Sequence, residues 1–180
     1  MAKTVAIGVQ DFAKLRERGN FYVDKTNFIR EWWKSDDEVT LITRPRRFGK
    51  TLNMSMLEYF FSNKYENRGD LFEGLSIWEE EKYRQIQGTY PVIFLSFASV
   101  KFARYEDTRE CINGLIADLY GRYEYIMNNE MFSDRDRQEY AKVSMEMSDS
   151  QAAKSVNRLC EWISRYYGKK VIILIDEYDT

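Results

Sequence analysis

Four side chains in two distant parts of the sequence have the chemistry to hold a polyphosphate and its metal ion. Lys50 and Thr51 follow Gly49, and Asp176 and Glu177 follow an apolar run. An ammonium group can pair with phosphate oxygens, and hydroxyl and carboxylate oxygens are ligands that Mg²⁺ prefers. A second carboxylate beside them could polarise a water molecule for attack on phosphorus. Together these residues predict a site for a nucleoside triphosphate and Mg²⁺.

The first cluster lies where a predicted strand gives way to a predicted helix. Apolar residues over 39–43 predict a short buried strand, which ends before Pro45 because proline cannot donate to a sheet ladder. From Gly49 the apolar residues recur at helical spacing, which predicts a helix that runs to about Ser62. A loop that leads into a helix N-terminus offers unpaired N–H groups and the positive end of the helix dipole. Both features favour the binding of phosphate.

This loop matches the phosphate-binding motif G-x-x-x-x-G-K-[ST] except at its first position, where the sequence has Arg44. Lys50 is the expected catalytic lysine on the outer phosphates, and Thr51 is an expected Mg²⁺ ligand. The residues expected to contact the nucleotide are Arg44, Pro45, Arg46, Arg47, Phe48, Gly49, Lys50, Thr51 and Leu52. The alternative is a surface turn with an exposed lysine at a helix start, a position that the helix dipole makes slightly unfavourable.

The second cluster ends another predicted strand. Five consecutive apolar residues over 171–175 predict a strand that is buried on both faces of a parallel sheet. An acidic pair at the carboxyl end of such a strand lies where open α/β sheets bind ligands. In P-loop NTPases this segment is called Walker B and the phosphate-binding loop is called Walker A. Asp176 would hold Mg²⁺ through water and Glu177 would be the catalytic carboxylate, whereas the alternative is a core strand followed by a solvated acidic turn.

Length and composition set further limits. A chain of 180 residues is expected to form one domain with its own core, and its net charge of −2 gives no general attraction to nucleic acid or to an anionic membrane. Histidine is absent, which excludes a histidine-containing metal site, and Cys111 and Cys160 are expected to be buried structural thiols. The sequence shows neither a membrane-length apolar run nor the apolar core of a signal peptide. We therefore expect a cytoplasmic protein without a membrane partner.

Helices alternate with strands along the chain, which predicts a parallel α/β sheet with right-handed crossovers. Predicted strands cover 39–43, 92–97 and 171–176. Predicted helices begin at caps or boundaries at Asp11, Asp24, Gly49, about Tyr105, Ser133 or Asp134, and Ser148, the last of them ending at Gly168. Poor periodicity over 70–90 predicts short helices on the surface.

A series of short motifs gives the chain a specific resemblance. They are Ile7-Gly8 with Asp11-Phe12, Tyr22 to Thr26, Thr43 to Thr51, Leu71 to Leu75, Tyr90 to Ile93, and Ile175 to Asp179. With them the chain resembles the bacterial AAA-ATPase-like domain, a P-loop NTPase domain that in many family members precedes a PD-(D/E)xK nuclease-like domain. The loop Arg-Pro-Arg-Arg-Phe-Gly-Lys-Thr is the most distinctive motif, and the family shares its missing first glycine. The resemblance covers nearly the whole chain but only the N-terminal part of the family domain.

The resemblance implies an α/β fold with a P-loop NTPase-type parallel sheet flanked by helices, C-terminally truncated so that later core strands and a lid are absent. The expected organisation is a single partial domain over 1–180, with a helical lead-in over 1–38 and the P-loop core over 39–180. In the family, the strand after Walker B lies between it and the phosphate-loop strand. The visible strands would then leave a central position open. A partner or swapped segment could fill it, the strands could close up, or the chain could be a partly ordered fragment. An exposed sheet edge also favours self-association. Residues 21–26 would lie near the adenine, or would simply pack on the core.

The expected function is binding of ATP and Mg²⁺, with hydrolysis in the intact family protein and poor turnover by the truncated chain. Two alternatives stay open. In one, the chain is a nucleic-acid module in which Arg44, Arg46 and Arg47 contact phosphates and the nuclease-like domain adds contacts. In the other it is a regulatory scaffold with a non-catalytic nucleotide site. Intact Lys50 and Glu177 argue against such a decayed site.

Overall fold

The computed structural model describes residues 4–5, 7–43, 45 and 48–177. Within them the chain is α/β, with many helices and a small parallel sheet. The helices are α1 (Phe12–Glu17), α2 (Asn27–Ser35), α3 (Lys50–Phe61), α4 (Glu81–Ile86), α5 (Tyr105–Tyr123), α6 (Asp134–Ala141) and α7 (Asp149–Tyr167). The strands β1 (Val92–Ser96) and β2 (Ile172–Asp176) pair as neighbours. Short 3₁₀ helices occupy Asn63–Tyr65, Gly69–Phe72, Ser76–Glu79 and Glu124–Asn128.

The chain divides into two compact units, residues 1–92 and 93–180. The core of the first unit is built around α3, whose C-terminal residue Phe61 is fully buried. Its ring lies 5.3 Å from the ring of Trp32 and 5.3 Å from that of Trp33, both in α2. Large aromatic contacts of this kind contribute beyond the area that they bury. They fix the C-terminal end of α3 against α2.

The second unit has a separate apolar core in which α5 and α7 pack together with β1. Its largest members include Tyr120 and Trp162, whose rings lie 6.3 Å apart. The buried aliphatic residues of this core are Ile93, Leu95, Ile116, Leu119, Ile126, Leu159 and Ile163.

No helix in the described part of the chain is both long and apolar enough to cross a membrane.

The predicted helix boundaries are largely confirmed, because their capping residues act locally. Asp11 caps α1 by accepting a hydrogen bond of 2.7 Å from the N–H of Lys14. Ser133 and Ser148 each form a capping box at the start of α6 and α7. Gly168 ends α7 in the left-handed conformation. The predicted cap at Asp24 is wrong by two positions, since Thr26 precedes the first residue of α2.

The predicted strand over 39–43 is wrong. This segment has no strand in the structure, and Val39 and Leu41 are 88% and 62% exposed. A strand needs a neighbour to supply a hydrogen-bond ladder. Among the described residues the sheet contains just β1 and β2, so no partner reaches this segment.

The prediction that the last strand is buried on both faces is also wrong. Burial alternates along β2: Leu174 and Asp176 are buried, whereas Ile173 and Ile175 are 41% and 45% exposed. An alternation of this kind belongs to a strand with one covered face. The continuous apolar run of the sequence therefore does not correspond to two covered faces within the described residues.

Candidate functional site

The N-terminus of α3 is an open helix end. Gly49 precedes the helix with φ of 76°, and no side chain of the described residues caps the first turn. The carbonyl of Gly49 accepts the first helical bond from Asn53, at 3.0 Å. The first N–H groups of a helix have no partner within the helix, so an uncapped end of this kind is suited to an anion.

The side chains of Lys50 and Thr51 are both uncommitted at this helix end. Each is half-buried, and neither forms a hydrogen bond or an ion pair with any residue that the structure describes. Within the part of the chain that the structure describes, nothing therefore occupies the ammonium or the hydroxyl. Of the other residues expected to contact the nucleotide, Pro45 and Phe48 are exposed and Leu52 is half-buried. Arg44, Arg46 and Arg47 lie outside the described residues.

Hydrogen bonds from the preceding segments hold α3 in place. The backbone N–H of Phe12 donates to the hydroxyl of Ser55 at 3.0 Å. The Tyr22 hydroxyl donates to the sulfur of Met56 at 3.3 Å, and burial, the largest cause, raises its pKa to about 12. The helix that carries Lys50 is thus braced by residues 12 and 22, which belong to motifs that the sequence singled out.

Asp24 is the centre of a second bracing network. Its Oδ1 accepts hydrogen bonds from the backbone N–H of Thr26 at 2.8 Å and from the Thr26 hydroxyl at 2.7 Å, while its Oδ2 accepts from the backbone N–H of Ser76 at 2.8 Å. The Thr26 hydroxyl in turn accepts from the N–H of Ile77 at 3.1 Å. Asp24 and Thr26 therefore have structural roles, which favours packing over adenine contact for these two residues.

Asp176 is held at the end of β2. It is 7% exposed, and its carbonyl accepts a hydrogen bond of 3.0 Å from the N–H of Phe97. Its Oδ1 accepts from the N–H of Glu177 at 3.1 Å. Glu177 itself has φ of 52°, a left-handed conformation that is uncommon outside glycine. The left-handed residue thus lies at the end of β2, where the two carboxylates follow one another.

Lys101 lies beside this acidic pair. Its Nζ is 3.8 Å from Oε2 of Glu177, in a contact that is largely exposed. This neighbour was missed in the sequence, because it follows β1 rather than β2 and no local pattern links it to the acidic pair. The pairing of β1 with β2 explains why Lys101 lies near Glu177, since the carboxyl ends of neighbouring parallel strands meet at one edge of a sheet.

The structure places the predicted site residues in two groups. Lys50 and Thr51 are adjacent in the first unit, and Asp176 and Glu177 are adjacent in the second. That both groups bind one polyphosphate stays a prediction.

Arg16 is a second residue that the sequence did not single out. It donates to the carbonyls of Leu71 and Glu73 at 2.7 Å each. Contacts across more than fifty positions leave no periodic pattern.

Comparison with known proteins identifies the family. The family described as "Predicted AAA-ATPase" matches residues 6–180. A protein of Azotobacter chroococcum mcd 1, named "Uncharacterized protein in vnfD 5'region", is 29% identical over 178 residues, which is 98% of this chain. The chain spans 29% of the length of that relative. No solved structure matches the chain. The family match extends over both the helix end at Gly49 and the acidic end of β2, and the chain belongs to the predicted AAA-ATPase family.

Proposed function

We propose that this chain binds Mg·ATP and supplies the nucleotide-binding part of an ATPase. The observation that carries the proposal is the uncapped N-terminus of α3, where Lys50 and Thr51 have no partner among the described residues. Membership of the predicted AAA-ATPase family supports ATP as the ligand. A free helix end together with a free lysine suits phosphate oxygens.

The residues present fit a Mg²⁺-bound nucleotide. Backbone N–H groups at the start of α3 and the Lys50 ammonium would hold the outer phosphates, and Thr51 and Asp176 would supply oxygen to the metal. The described residues contain no group of three metal-ligating side chains. Mg²⁺ usually depends on one or two protein oxygens together with phosphates and water, so a sparse ligand set suits it.

For hydrolysis, Glu177 would orient the attacking water and take up its proton. Glu177 directly follows Asp176 at the end of β2, which would place its carboxylate next to a metal ligand. The ammonium of Lys101 lies 3.8 Å from this carboxylate, in an exposed contact. When bound, Mg²⁺ would neutralise charge on the phosphate oxygens.

The first test measures the melting temperature of the chain with and without Mg·ATP. A ligand that binds the folded state raises the melting temperature, and we expect such a rise for the wild type. In Lys50→Ala the rise should disappear, because the ammonium that pairs with the outer phosphates is gone. Lys34→Ala is the matched control, since Lys34 is an exposed lysine at the end of α2 in the same unit. An equal rise in all three proteins would remove Lys50 from the site.

The second test asks whether one nucleotide engages both groups of residues. Mn²⁺ replaces Mg²⁺ in complex with ATP, and paramagnetic broadening of backbone amide signals is measured by NMR. We expect broadening at Gly49 and Thr51 and also at Asp176 and Glu177. Broadening confined to one of the two groups would reject the shared site.

A further inference from the structure

A cavity of about 200 Å³ lies between α6 and α7 in the second unit. Its rim carries Lys142, Lys154 and Arg158, and its floor includes Tyr120 and Val143. None of these residues takes part in the nucleotide site proposed above. We propose that this cavity binds a small phosphate monoester.

The charge of the rim favours a dianion. Glu139 is the one carboxylate that lines the cavity, and both of its oxygens are occupied. Oε1 lies 2.5 Å from Nζ of Lys142, and Oε2 lies 2.7 Å from a guanidinium nitrogen of Arg158. Hydrogen bonds from these two cations hold the pKa of Glu139 below its ordinary value, so the carboxylate stays charged. Three cations and one carboxylate leave two positive charges, which match the charge of a phosphate monoester near neutral pH.

Two polar groups at the rim have no partner in the described part of the chain. Lys154 forms no ion pair or hydrogen bond with any described residue, and the same holds for the Ser150 hydroxyl. Ser150 lies in the first turn of α7, where the capping box of Ser148 and Gln151 already closes the helix end. An anion in the cavity would therefore meet an ammonium and a hydroxyl donor that no described residue occupies.

The floor and the volume of the cavity limit the size and the polarity of the ligand. Tyr120 and Ser155 are buried there and both hydroxyls are already used: that of Tyr120 donates to the carbonyl of Ser155 at 2.8 Å, and that of Ser155 donates to the carbonyl of Ala152 at 2.6 Å. The floor thus offers mainly aromatic and aliphatic surface to a ligand. Pockets for drug-sized ligands occupy roughly 300–1,000 Å³, so this cavity suits one phosphoryl group with a small organic substituent rather than a nucleoside triphosphate.

A neighbouring cavity gives an internal comparison. It lies on the other side of the Glu139–Arg158 ion pair and is also lined by Arg135, Asp136 and Glu161. Its two arginines face three carboxylates, and Asp136 accepts a hydrogen bond of 3.2 Å from the indole of Trp162. The balance of charge there disfavours an anion, which makes Arg135 a suitable site for a control substitution.

The test is a titration of the chain with phenyl phosphate, without nucleotide or metal, followed by amide NMR. We expect saturable shifts at Ser150 and Lys154. Lys154→Gln should raise the dissociation constant about fivefold, the effect of one exposed charge pair. Arg135→Gln removes the same charge beside the neighbouring cavity and should bind as the wild type does.

Opposite results would overturn the proposal. It fails if the shifts do not saturate, if they spread equally over Arg135 and Glu161, or if Lys154→Gln binds as tightly as the wild type. Lys154 is exposed, so its substitution should leave the fold intact, which the melting temperature checks. Lys50→Ala should bind phenyl phosphate normally, so loss of the nucleotide site and loss of this cavity are distinguishable.

Discussion

At the scale of single residues, Gly49 and Gly121 show how one backbone angle decides the effect of a side chain. A Cβ added at either position would meet no atom of the described residues within 4 Å, the chain neighbours and the helix backbone aside. Gly49 has φ of 76°, whereas Gly121 lies within α5. An L-residue is strained in the left-handed region and favoured over glycine in a helix.

We therefore predict opposite effects for the two alanine substitutions. Gly49→Ala should lower the free energy of unfolding by about 1 kcal/mol through backbone strain alone. Gly121→Ala should raise it by about 0.5 kcal/mol, because alanine loses less backbone entropy in a helix. Urea unfolding of both variants measures these values. Two changes of the same sign would contradict the explanation.

Asp24 is the residue whose ionisation should matter most for the first unit. Burial by itself raises the pKa of Asp24, but hydrogen bonds from Ser76 and Thr26 outweigh it and hold the pKa below its ordinary value of 3.8. A carboxyl whose pKa is lowered by folding stabilises the folded state above its unfolded pKa. That stability is lost as the pH falls through the lowered value.

Asp24→Asn should lower the free energy of unfolding at pH 7 by about 1 kcal/mol, since the N–H of Ser76 loses a charged acceptor. The difference from the wild type should stay constant above pH 3.8 and shrink as the pH falls further, because the wild-type carboxyl then becomes protonated. Denaturant unfolding at several pH values measures it. Asp37→Asn, at an exposed carboxylate without a partner among the described residues, should show no such dependence.

At the scale of elements, α3 is fixed chiefly by aromatic packing at its C-terminal end. Phe61 is fully buried, with Trp33 stacked on its ring and Trp32 at its edge. The two ends of α3 thus have different environments. The C-terminal end is packed against aromatic rings, and the N-terminal end carries the uncapped N–H groups of the candidate site.

Phe61→Ala should lower the free energy of unfolding by about 4 kcal/mol, because it removes a buried ring and leaves a cavity. Phe21→Ala makes the same deletion at a side chain that is half exposed, and its effect should stay near 0.5 kcal/mol. Urea unfolding compares the two variants. Equal losses would show that burial does not set the cost at these positions.

Two of the three predicted strands, over 92–97 and 171–176, are present as β1 and β2, whereas the strand over 39–43 is not. Helices α1, α6 and α7 begin where Asp11, Ser133 and Ser148 predict, because a cap bonds to N–H groups two or three residues away. The segment 39–43 has a strand-like composition, but its structure depends on a partner that composition does not reveal. Helix starts could therefore be predicted from neighbouring side chains, whereas strand pairing could not.

At the scale of the whole molecule, the sheet has two strands among the described residues, and β2 exposes Ile173 and Ile175. An open strand edge beside exposed apolar side chains is a site for pairing with another chain. We propose that self-association occurs through this edge.

Sedimentation at increasing protein concentration tests the proposal. The wild type should show a dimer fraction that grows with concentration, and Ile175→Lys should reduce it, because charged residues on a strand edge oppose pairing. Val39→Lys places the same charge at an exposed apolar residue outside the sheet and should dimerise as the wild type does. A monomeric wild type, or equal dimerisation of the wild type and Ile175→Lys, would reject self-association through β2.

The sequence by itself determined the family, the helix caps and the residue types of both parts of the candidate site. Each of these follows from side chains that are close together in the chain, such as Gly49, Lys50 and Thr51. Tertiary structure alone decided that Asp24 binds Ser76, that Lys101 lies beside Glu177, and that one face of β2 is exposed. Such contacts join residues far apart in sequence, and they exist just where packing brings the groups within bonding distance.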